Sequence, residues 1–241
     1  MRLMIIRHGD PDYSIDSLTK EGWLEADLLK DYLLTQKLDY LYCSPLGRAK
    51  DTALPYLKAT KREALICDWL HEFETGYAIH KKMSPNKCCW DFIPEEIEED
   101  PRYFDVNHWF ETPVYQEGHA KEAYDRVTSA LDALLKEHGY ERRGMYYDVR
   151  HPNHDTLVFF CHFGVEAVLL SHLLNCSPIV LWEGTVALPS GVTEIVTEER
   201  RQGRALWRMN QFASQGHLLG KTQPAFAARF CECFFDETRH D

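Results

Sequence analysis

The stretch "LMIIRHGD", Leu3 to Asp10, sets a run of large apolar residues directly against an arginine and a histidine. Continuous apolar residues without polar alternation are typical of a strand that is buried on both faces of a parallel sheet. Protein interiors rarely contain arginine or unpaired polar groups, so Arg7 and His8 should mark the point where the strand leaves the core. The stretch therefore predicts a central strand over residues 2–7 that ends at a polar pocket.

Strand and helix patterns alternate along the rest of the chain. Apolar residues at helical spacing follow the first strand, and the segments "DYLYCSP", "ALICDW" and "TLVFFCH" predict further strands. This alternation predicts an α/β fold with a largely parallel sheet. The segments "GVTEIVT" and "RALWRMN" are separated by a charged turn, which indicates a late hairpin, and we expect it at the edge of the sheet.

One region, at about 77–117, interrupts this alternation within a chain that we expect to form a single domain over 1–241. It contains four prolines, the acidic run "PEEIEED" and several large aromatic residues. A decorated surface loop and a lid over the active site both fit this composition. In the second case Trp90, Trp109 and Tyr115 could pack against a substrate.

The charge balance limits the partners of the protein. The chain has 27 Lys and Arg against 38 Asp and Glu, a net charge of −11, which should repel nucleic acids and anionic membranes. No segment approaches the roughly 20 apolar residues of a membrane span, and Arg7 interrupts the only signal-like run at the N-terminus. We expect a cytoplasmic protein that binds neither nucleic acid nor membrane. A homodimer is compatible with the sequence, which does not decide the oligomeric state.

Candidate functional residues follow four of the predicted strands. Ligands of parallel sheets bind beyond the carboxyl ends of the strands. Arg7 and His8 follow the first strand, Arg48 the second, Glu72 the third and His162 the fourth. The planar guanidinium groups match phosphate oxygens, and helix N-termini favour anions, so this set predicts a site for a phosphoryl group.

These residue types also suggest a reaction. A neutral imidazole at His8 can attack phosphorus and form a phosphohistidine intermediate. Arg7, Arg48 and His162 would supply positive charge and hydrogen bonds to the transferred group. Glu72 would protonate the leaving oxygen and then activate water, although Glu74 lies two residues away and is the alternative acid.

At these residues the sequence resembles the histidine phosphatase superfamily, also called the phosphoglycerate-mutase-like family. The signature Arg-His-Gly is present at residues 7–9, "SPLxRAxxTA" begins at Ser44, and "LxExxxG" runs from Leu70 to Gly76. The second histidine is His162. The closing Asn and His-Leu are matched by Asn210, His217 and Leu218. The resemblance covers about 1–76 and 118–218.

The resemblance implies a three-layer α/β/α sandwich with an inserted region. It implies that His8 is phosphorylated, that Arg7, Arg48 and His162 hold phosphate, and that Glu72 is the proton donor. It implies no metal and no other cofactor. Two departures bear on the pocket: Phe163 stands where the family usually has glycine, and Ser14 stands where it often has asparagine.

Other chemistries fit the sequence less well. His162 and Glu166 have a spacing that could ligate a metal on a helix, but the arginines already supply the charge. Cys43 and Arg48 resemble a cysteine-dependent phosphatase loop, one residue too short. The sequence predicts a phosphomonoesterase for a small phosphorylated metabolite. A phosphoglycerate-mutase-type transferase and a catalytically weak phospho-ligand-binding or scaffold protein remain alternatives, and the substrate is not encoded in any motif.

Overall fold

The computed structural model describes residues 1–75, 89–90, 92 and 94–222, and these residues contain two sheets. Strands are numbered in chain order: β1 Arg2–Arg7, β2 Pro11–Asp12, β3 Ser17–Leu18, β4 Tyr40–Cys43, β5 Leu65–Ile66, β6 Tyr140–Arg143, β7 Tyr146–Val149, β8 Thr156–Cys161, β9 Val192–Arg201 and β10 Arg204–Ser214. The large sheet has the order β5-β4-β8-β1-β9-β10-β7-β6, and β2 pairs with β3 in a separate ribbon.

Helices connect most of these strands. They are α1 Lys20–Leu33, α2 Gly47–Thr60, α3 Pro94–Ile97, α4 Pro113–Glu117, α5 Ala120–Glu137, α6 Phe163–Leu174 and α7 Pro178–Gly184. Single 3₁₀ turns cover Asp68–Leu70, Pro101–Phe104, Trp109–Glu111 and Gly216–Leu218. None of the helices in the described residues combines the length and the apolar character that crossing a membrane requires.

The parallel part of the sheet is built around β1 and β8. In the register, Arg7 of β1 lies opposite Cys161 of β8, and Cys43 of β4 lies opposite Phe160. On the other side of β1, the pairs β1–β9, β9–β10, β10–β7 and β7–β6 are all antiparallel, so β10 and β6 run in the same direction as β1. Six of the eight strands described in the large sheet therefore run the same way. The α/β class and the mostly parallel sheet are therefore confirmed.

Two hydrophobic cores cover the two faces of the sheet. Successive side chains of a strand point to opposite faces. Leu3 and Ile5 accordingly pack in the core that includes α5 and α6, whereas Met4 and Ile6 pack with α1 and α2. All four side chains are fully buried. This burial on both faces explains the continuous apolar run and confirms the three-layer α/β/α sandwich.

The late hairpin lies inside the sheet, so its predicted position at the edge was wrong. β9 pairs directly with β1, and β10 pairs on its far side with β7. The outermost strand on that side is β6, which forms a second hairpin with β7. Residues 140–149 form a half-exposed hairpin that contains several charged side chains. Its sequence pattern does not distinguish a pair of strands from a loop.

The described part of the interrupting region contributes side chains to the core. Trp109 and Tyr115 are each 1% exposed and pack edge to face, with ring centroids 5.2 Å apart. Both rings also contact Trp182 of α7. The expectation that Trp109 and Tyr115 contact a substrate was therefore wrong. The single domain and the lid stay predictions, since 76–88, 91 and 93 lie outside the described residues.

We predict that Ile5→Ala lowers the free energy of unfolding by about 2–5 kcal/mol, because it removes a fully buried side chain from the central strand and leaves a cavity. Ile15→Ala removes the same atoms from a side chain that is 68% exposed, and should change stability by less than about 0.5 kcal/mol. Urea unfolding of both variants measures the difference. Equal losses would contradict the burial of β1.

Candidate active site

The predicted site residues meet at the carboxyl edge of the parallel strands. His8 follows β1, His162 follows β8 and Ser44 follows β4. The backbone ladder continues beyond the strand ends: the His8 amide donates to the Cys161 carbonyl at 3.0 Å, and the Ser44 amide donates to the Phe160 carbonyl at 2.9 Å. These bonds fix the backbone of two site segments relative to β8.

His8 has the protonation state and orientation of a nucleophile. Its ring is 2% exposed, and Nδ1 lies 2.8 Å from the Gly9 carbonyl oxygen. A carbonyl only accepts hydrogen bonds, so we assign the ring proton to Nδ1 and the lone pair to Nε2. Burial holds the pKa of His8 well below its ordinary value, and the charge of Arg7 lowers it further. The imidazole is therefore neutral at physiological pH.

His162 lies beside His8 with a second neutral ring. The two ring centroids are 5.1 Å apart. Ser44 Oγ lies 2.7 Å from His162 Nε2 and accepts the Leu46 amide at 3.2 Å. Burial, followed by the field of His8, holds the pKa of His162 well below its usual range. When the Ser44 hydroxyl donates to Nε2, the ring proton is on Nδ1, which is buried without a hydrogen-bond partner in the described structure.

Arg48 is held by Asp16, a residue that the sequence analysis missed. Asp16 Oδ1 accepts Arg48 Nη1 at 2.6 Å, and Asp16 Oδ2 accepts the amide of Gly47, the first residue of α2, at 2.6 Å. A Cβ on Gly47 would lie 2.0 Å from the Asp16 carbonyl oxygen, so this approach requires glycine. Asp16 itself has a φ of 48°, a strained value for a residue with a side chain. No local pattern predicts such a contact between a loop and a helix.

Arg7 is fixed from the opposite side of the pocket. Its Nη1 donates to the carbonyl of Ala187, in the loop that precedes β9. The Nε atoms of Arg7 and Arg48 are both buried without a partner in the part of the chain that the structure describes. Each guanidinium is thus anchored through one nitrogen and keeps a donor for an anion, as expected of a phosphate site.

Glu72, and not Glu74, lies at the site. Glu72 Oε1 accepts the amides of Phe73 at 2.7 Å and Val165 at 3.2 Å, whereas Glu74 is exposed. Because both amides donate to Oε1, the proton of the acid form belongs on Oε2. Burial raises the pKa of Glu72, and the amide of Phe73 and the two arginines oppose this only in part. Gly76, the last residue of its motif, lies outside the described residues.

A second buried carboxyl, Glu166, lies in the first turn of α6. It is 1% exposed, and its Oε1 accepts the hydroxyl of Thr193 at 2.5 Å, while Oε2 has no partner in the described residues. Burial raises the pKa of Glu166 to about 8. His162 and Glu166, whose spacing could ligate a metal, thus form hydrogen bonds with different groups, His162 with Ser44 and Glu166 with Thr193. The described residues contain no group of three or more His, Cys, Asp or Glu that could hold a metal ion.

The remaining candidates lie around this centre or away from it. Ser14 is exposed and donates to Asp12 Oδ1 at 2.5 Å. His217 lies 3.1 Å from the hydroxyl of Ser190, whose amide donates to the His8 carbonyl. Asn210 is exposed on β10, on the antiparallel side of the sheet.

The cysteine alternative fits the geometry poorly. Cys43 is 1% exposed at the end of β4, where its side chain packs in the core with α1 and α2. Burial raises the pKa of its thiol to about 12, so the thiolate that a cysteine nucleophile requires is not formed near neutral pH.

Comparison with protein families gives a match over most of the chain. The model of the histidine phosphatase superfamily, branch 1, matches residues 3–210. A probable phosphatase of Schizosaccharomyces pombe is 23% identical over 232 residues, which are 90% of this chain and 95% of the relative. Phosphoserine phosphatase 1 of Hydrogenobacter thermophilus is 27% identical over 153 residues, 57% of this chain and 66% of the relative.

Solved structures have the same fold. A phosphoserine phosphatase of Entamoeba histolytica aligns with a TM-score of 0.59 and 20% identity, over 90% of this chain and 99% of the other. A mycobacterial glucosyl-3-phosphoglycerate phosphatase aligns with a TM-score of 0.57 and 18% identity, over 88% and 98% of the two chains. At these identities the likeness establishes the fold alone.

We predict that Asp16→Asn weakens the affinity for inorganic phosphate on the order of 10-fold, because one amide cannot accept both the Gly47 amide and the Arg48 guanidinium. Titration calorimetry measures the change. Ser17→Ala is the matched control, since it removes a 2.5 Å hydrogen bond from the adjacent residue to Asp51 of α2 without touching Arg48. Equal effects of the two variants would show that Asp16 only supports the loop.

We predict that Glu166→Gln makes stability less sensitive to alkaline pH. The pKa of Glu166 rises from 4.5 to about 8 on folding, so its stabilising contribution is complete below pH 4.5 and is lost as the pH rises through about 8. Between pH 5 and 8 the wild-type free energy of unfolding should fall more than that of the variant, by up to about 1.4 kcal/mol per pH unit. Urea unfolding across this range measures the slopes, with Glu74→Gln as the exposed control. Identical slopes would contradict the burial of an acid form.

Proposed function

The chain belongs to the histidine phosphatase superfamily, and we propose that it is a metal-independent phosphomonoesterase acting on a small phosphorylated metabolite through a phosphohistidine on His8. The observation that carries the proposal is the neutral His8 ring, with its Nδ1 proton directed to Gly9 and two anchored arginines beside it. The names of the relatives, which are phosphatases, agree with it.

In the first step, the lone pair of His8 Nε2 attacks phosphorus while the bond to the leaving oxygen breaks. The guanidinium groups of Arg7 and Arg48 and the Nδ1 proton of His162 bind the three non-bridging oxygens, where charge concentrates in the transition state. The proton on Glu72 Oε2 passes to the leaving oxygen, which departs as an alcohol. The raised pKa of Glu72 supports this role, because a carboxyl must be protonated to act as an acid.

In the second step, water attacks the phosphohistidine. The Glu72 carboxylate accepts a proton from the water, the phosphorus–nitrogen bond breaks, and the electron pair returns to His8 Nε2. Inorganic phosphate leaves, and both residues regain their starting protonation states. The arginines provide the positive charge throughout, so no metal ion enters the proposed mechanism.

We predict that His8→Ala lowers kcat/KM for phenyl phosphate on the order of 10³-fold or more, because no other group replaces the nucleophile. Wild-type protein quenched during turnover should carry an acid-labile phosphoryl group, and a chelator should leave the rate unchanged. His151→Ala is the matched control, since it changes an exposed histidine in a similar Arg-His pair after β7.

Three results would overturn this proposal. Appreciable turnover by His8→Ala would exclude the histidine nucleophile, and loss of activity with the chelator would indicate metal-dependent hydrolysis. Binding of phosphate without turnover would favour a binding or scaffold role. A coupled assay for isomerisation of phosphoglycerate tests transfer back to the bound substrate, as in a mutase.

A further inference from the structure

An aromatic side chain from the interrupting region, Trp90, lies near the carboxyl of Glu72 beside Gly164. A Cβ placed on Gly164 would lie 2.4 Å from Cζ3 and 2.5 Å from Cη2 of Trp90, and 2.6 Å from Oε1 of Glu72. The edge of the indole and the carboxyl therefore lie within 2.6 Å of one point. Gly164 permits this approach because it has no side chain, and any other residue would displace the indole, the carboxyl or both.

Phe163 extends the same surface. It stands directly after His162, and its ring packs edge to face on Trp90 with centroids 5.6 Å apart. Both residues are half-buried. We call Trp90 and Phe163 the aromatic wall.

The aromatic wall is held by contacts from three directions. Trp90 packs on Trp182, with ring centroids 6.1 Å apart, and the Trp182 indole N–H donates to the Gly164 carbonyl at 3.1 Å. The preceding residue, Cys89, is fully buried, and its carbonyl accepts the Tyr115 hydroxyl at 2.6 Å. This anchoring lets the wall contact a ligand without first paying the entropy of ordering its rings.

The position of the wall determines which part of a substrate it meets. A leaving oxygen must come within about 3 Å of the Glu72 carboxyl to accept its proton. The carbon atoms bonded to that oxygen then lie on the side of the carboxyl where the edge of Trp90 stands near Oε1. The phosphoryl group lies on the other side, between the arginines and His8.

On the basis of the phosphatase activity proposed above, we propose that the aromatic wall selects phosphomonoesters whose leaving alcohol presents an apolar, planar face. A flat hydrocarbon face gains burial and edge-to-face contact with Trp90 and Phe163. The ammonium and carboxylate of a compound such as phosphoserine would instead lose water against the Phe163 ring and the Cζ3–Cη2 edge of Trp90, which carry no hydrogen-bonding atoms. The wall thereby sets a substrate class different from the one that the names of several relatives state.

The wall also explains the state of the acid. The apolar edge of Trp90 near the Glu72 carboxyl favours the neutral form of this acid, in agreement with the pKa of Glu72, which burial raises. The aromatic wall therefore has two effects in the proposal: it favours the protonated form of Glu72, and it binds the alcohol that receives this proton.

The test compares leaving groups of similar basicity. We expect wild-type kcat/KM for 2-phenylethyl phosphate to exceed that for ethyl phosphate and for phosphoserine by about 10-fold or more, as apolar pockets discriminate. In Phe163→Gly, which removes one ring of the aromatic wall, the preference over ethyl phosphate should fall to about one third or less of its wild-type value. Phe110→Ala is the matched control, because Phe110 is also half-buried but lies near the opposite end of α6.

A second variant and a second measurement cover a loss of folding in Phe163→Gly. Trp90→Leu keeps an apolar side chain without a planar face, and should lower the preference for the phenyl group and weaken competitive inhibition by 2-phenylethanol. Equal wild-type rates for the phenyl and ethyl esters, or a preference for phosphoserine, would overturn the aromatic wall while leaving the phosphatase intact. Absence of hydrolysis of all three esters, with no phosphohistidine, would instead overturn the proposed function.

Discussion

Everything at the site depends on the parallel pairing of β8 with β1 on one side and β4 on the other. This register aligns the carboxyl ends of three strands, so the residues that follow them must share one edge. The backbone bonds of His8 and Ser44 to β8 carry the alignment one residue past the strands. A shift of register by one residue would exchange the faces of β1 and place its apolar side chains in the wrong cores. Burial of the strands thus determines which side chains lie together at their carboxyl ends.

Burial also sets the charge state of the site, in opposite senses for its bases and its acids. Removing water disfavours the charged form of any group, so it lowers the pKa values of His8 and His162 and raises those of Glu72 and Glu166, which favours the neutral form of all four. The arginines keep their charge, because guanidinium does not lose its proton in proteins. Two cations among groups that burial keeps mainly neutral would favour an anion at the candidate site, in a chain whose net charge is −11.

The predictions from sequence succeeded where a short sequence pattern is possible only in one position of the fold. A continuous apolar run identified the central strand, because only burial on both faces permits it, and polar residues at strand ends identified the candidate site. They failed for the late hairpin, since strand order depends on pairing between distant segments. Trp109 and Tyr115 were misassigned for a related reason: aromatic residues serve a core and a binding surface equally well, and only their exposure tells the two apart.

The sequence by itself determined the α/β class and the superfamily, and it predicted Arg7, His8, Arg48, Glu72 and His162 at the candidate site, because these follow from short motifs and their order. Only the tertiary structure decided that Glu72 and not Glu74 lies at the site, that Asp16 holds Arg48, and that Trp90 lies near Glu72. Two of these findings are contacts between segments that are distant along the chain. The choice between Glu72 and Glu74 depends on the direction of each side chain. Both depend on packing in three dimensions, and a local stretch such as "LMIIRHGD" predicts its own strand but not the segments that pack around it.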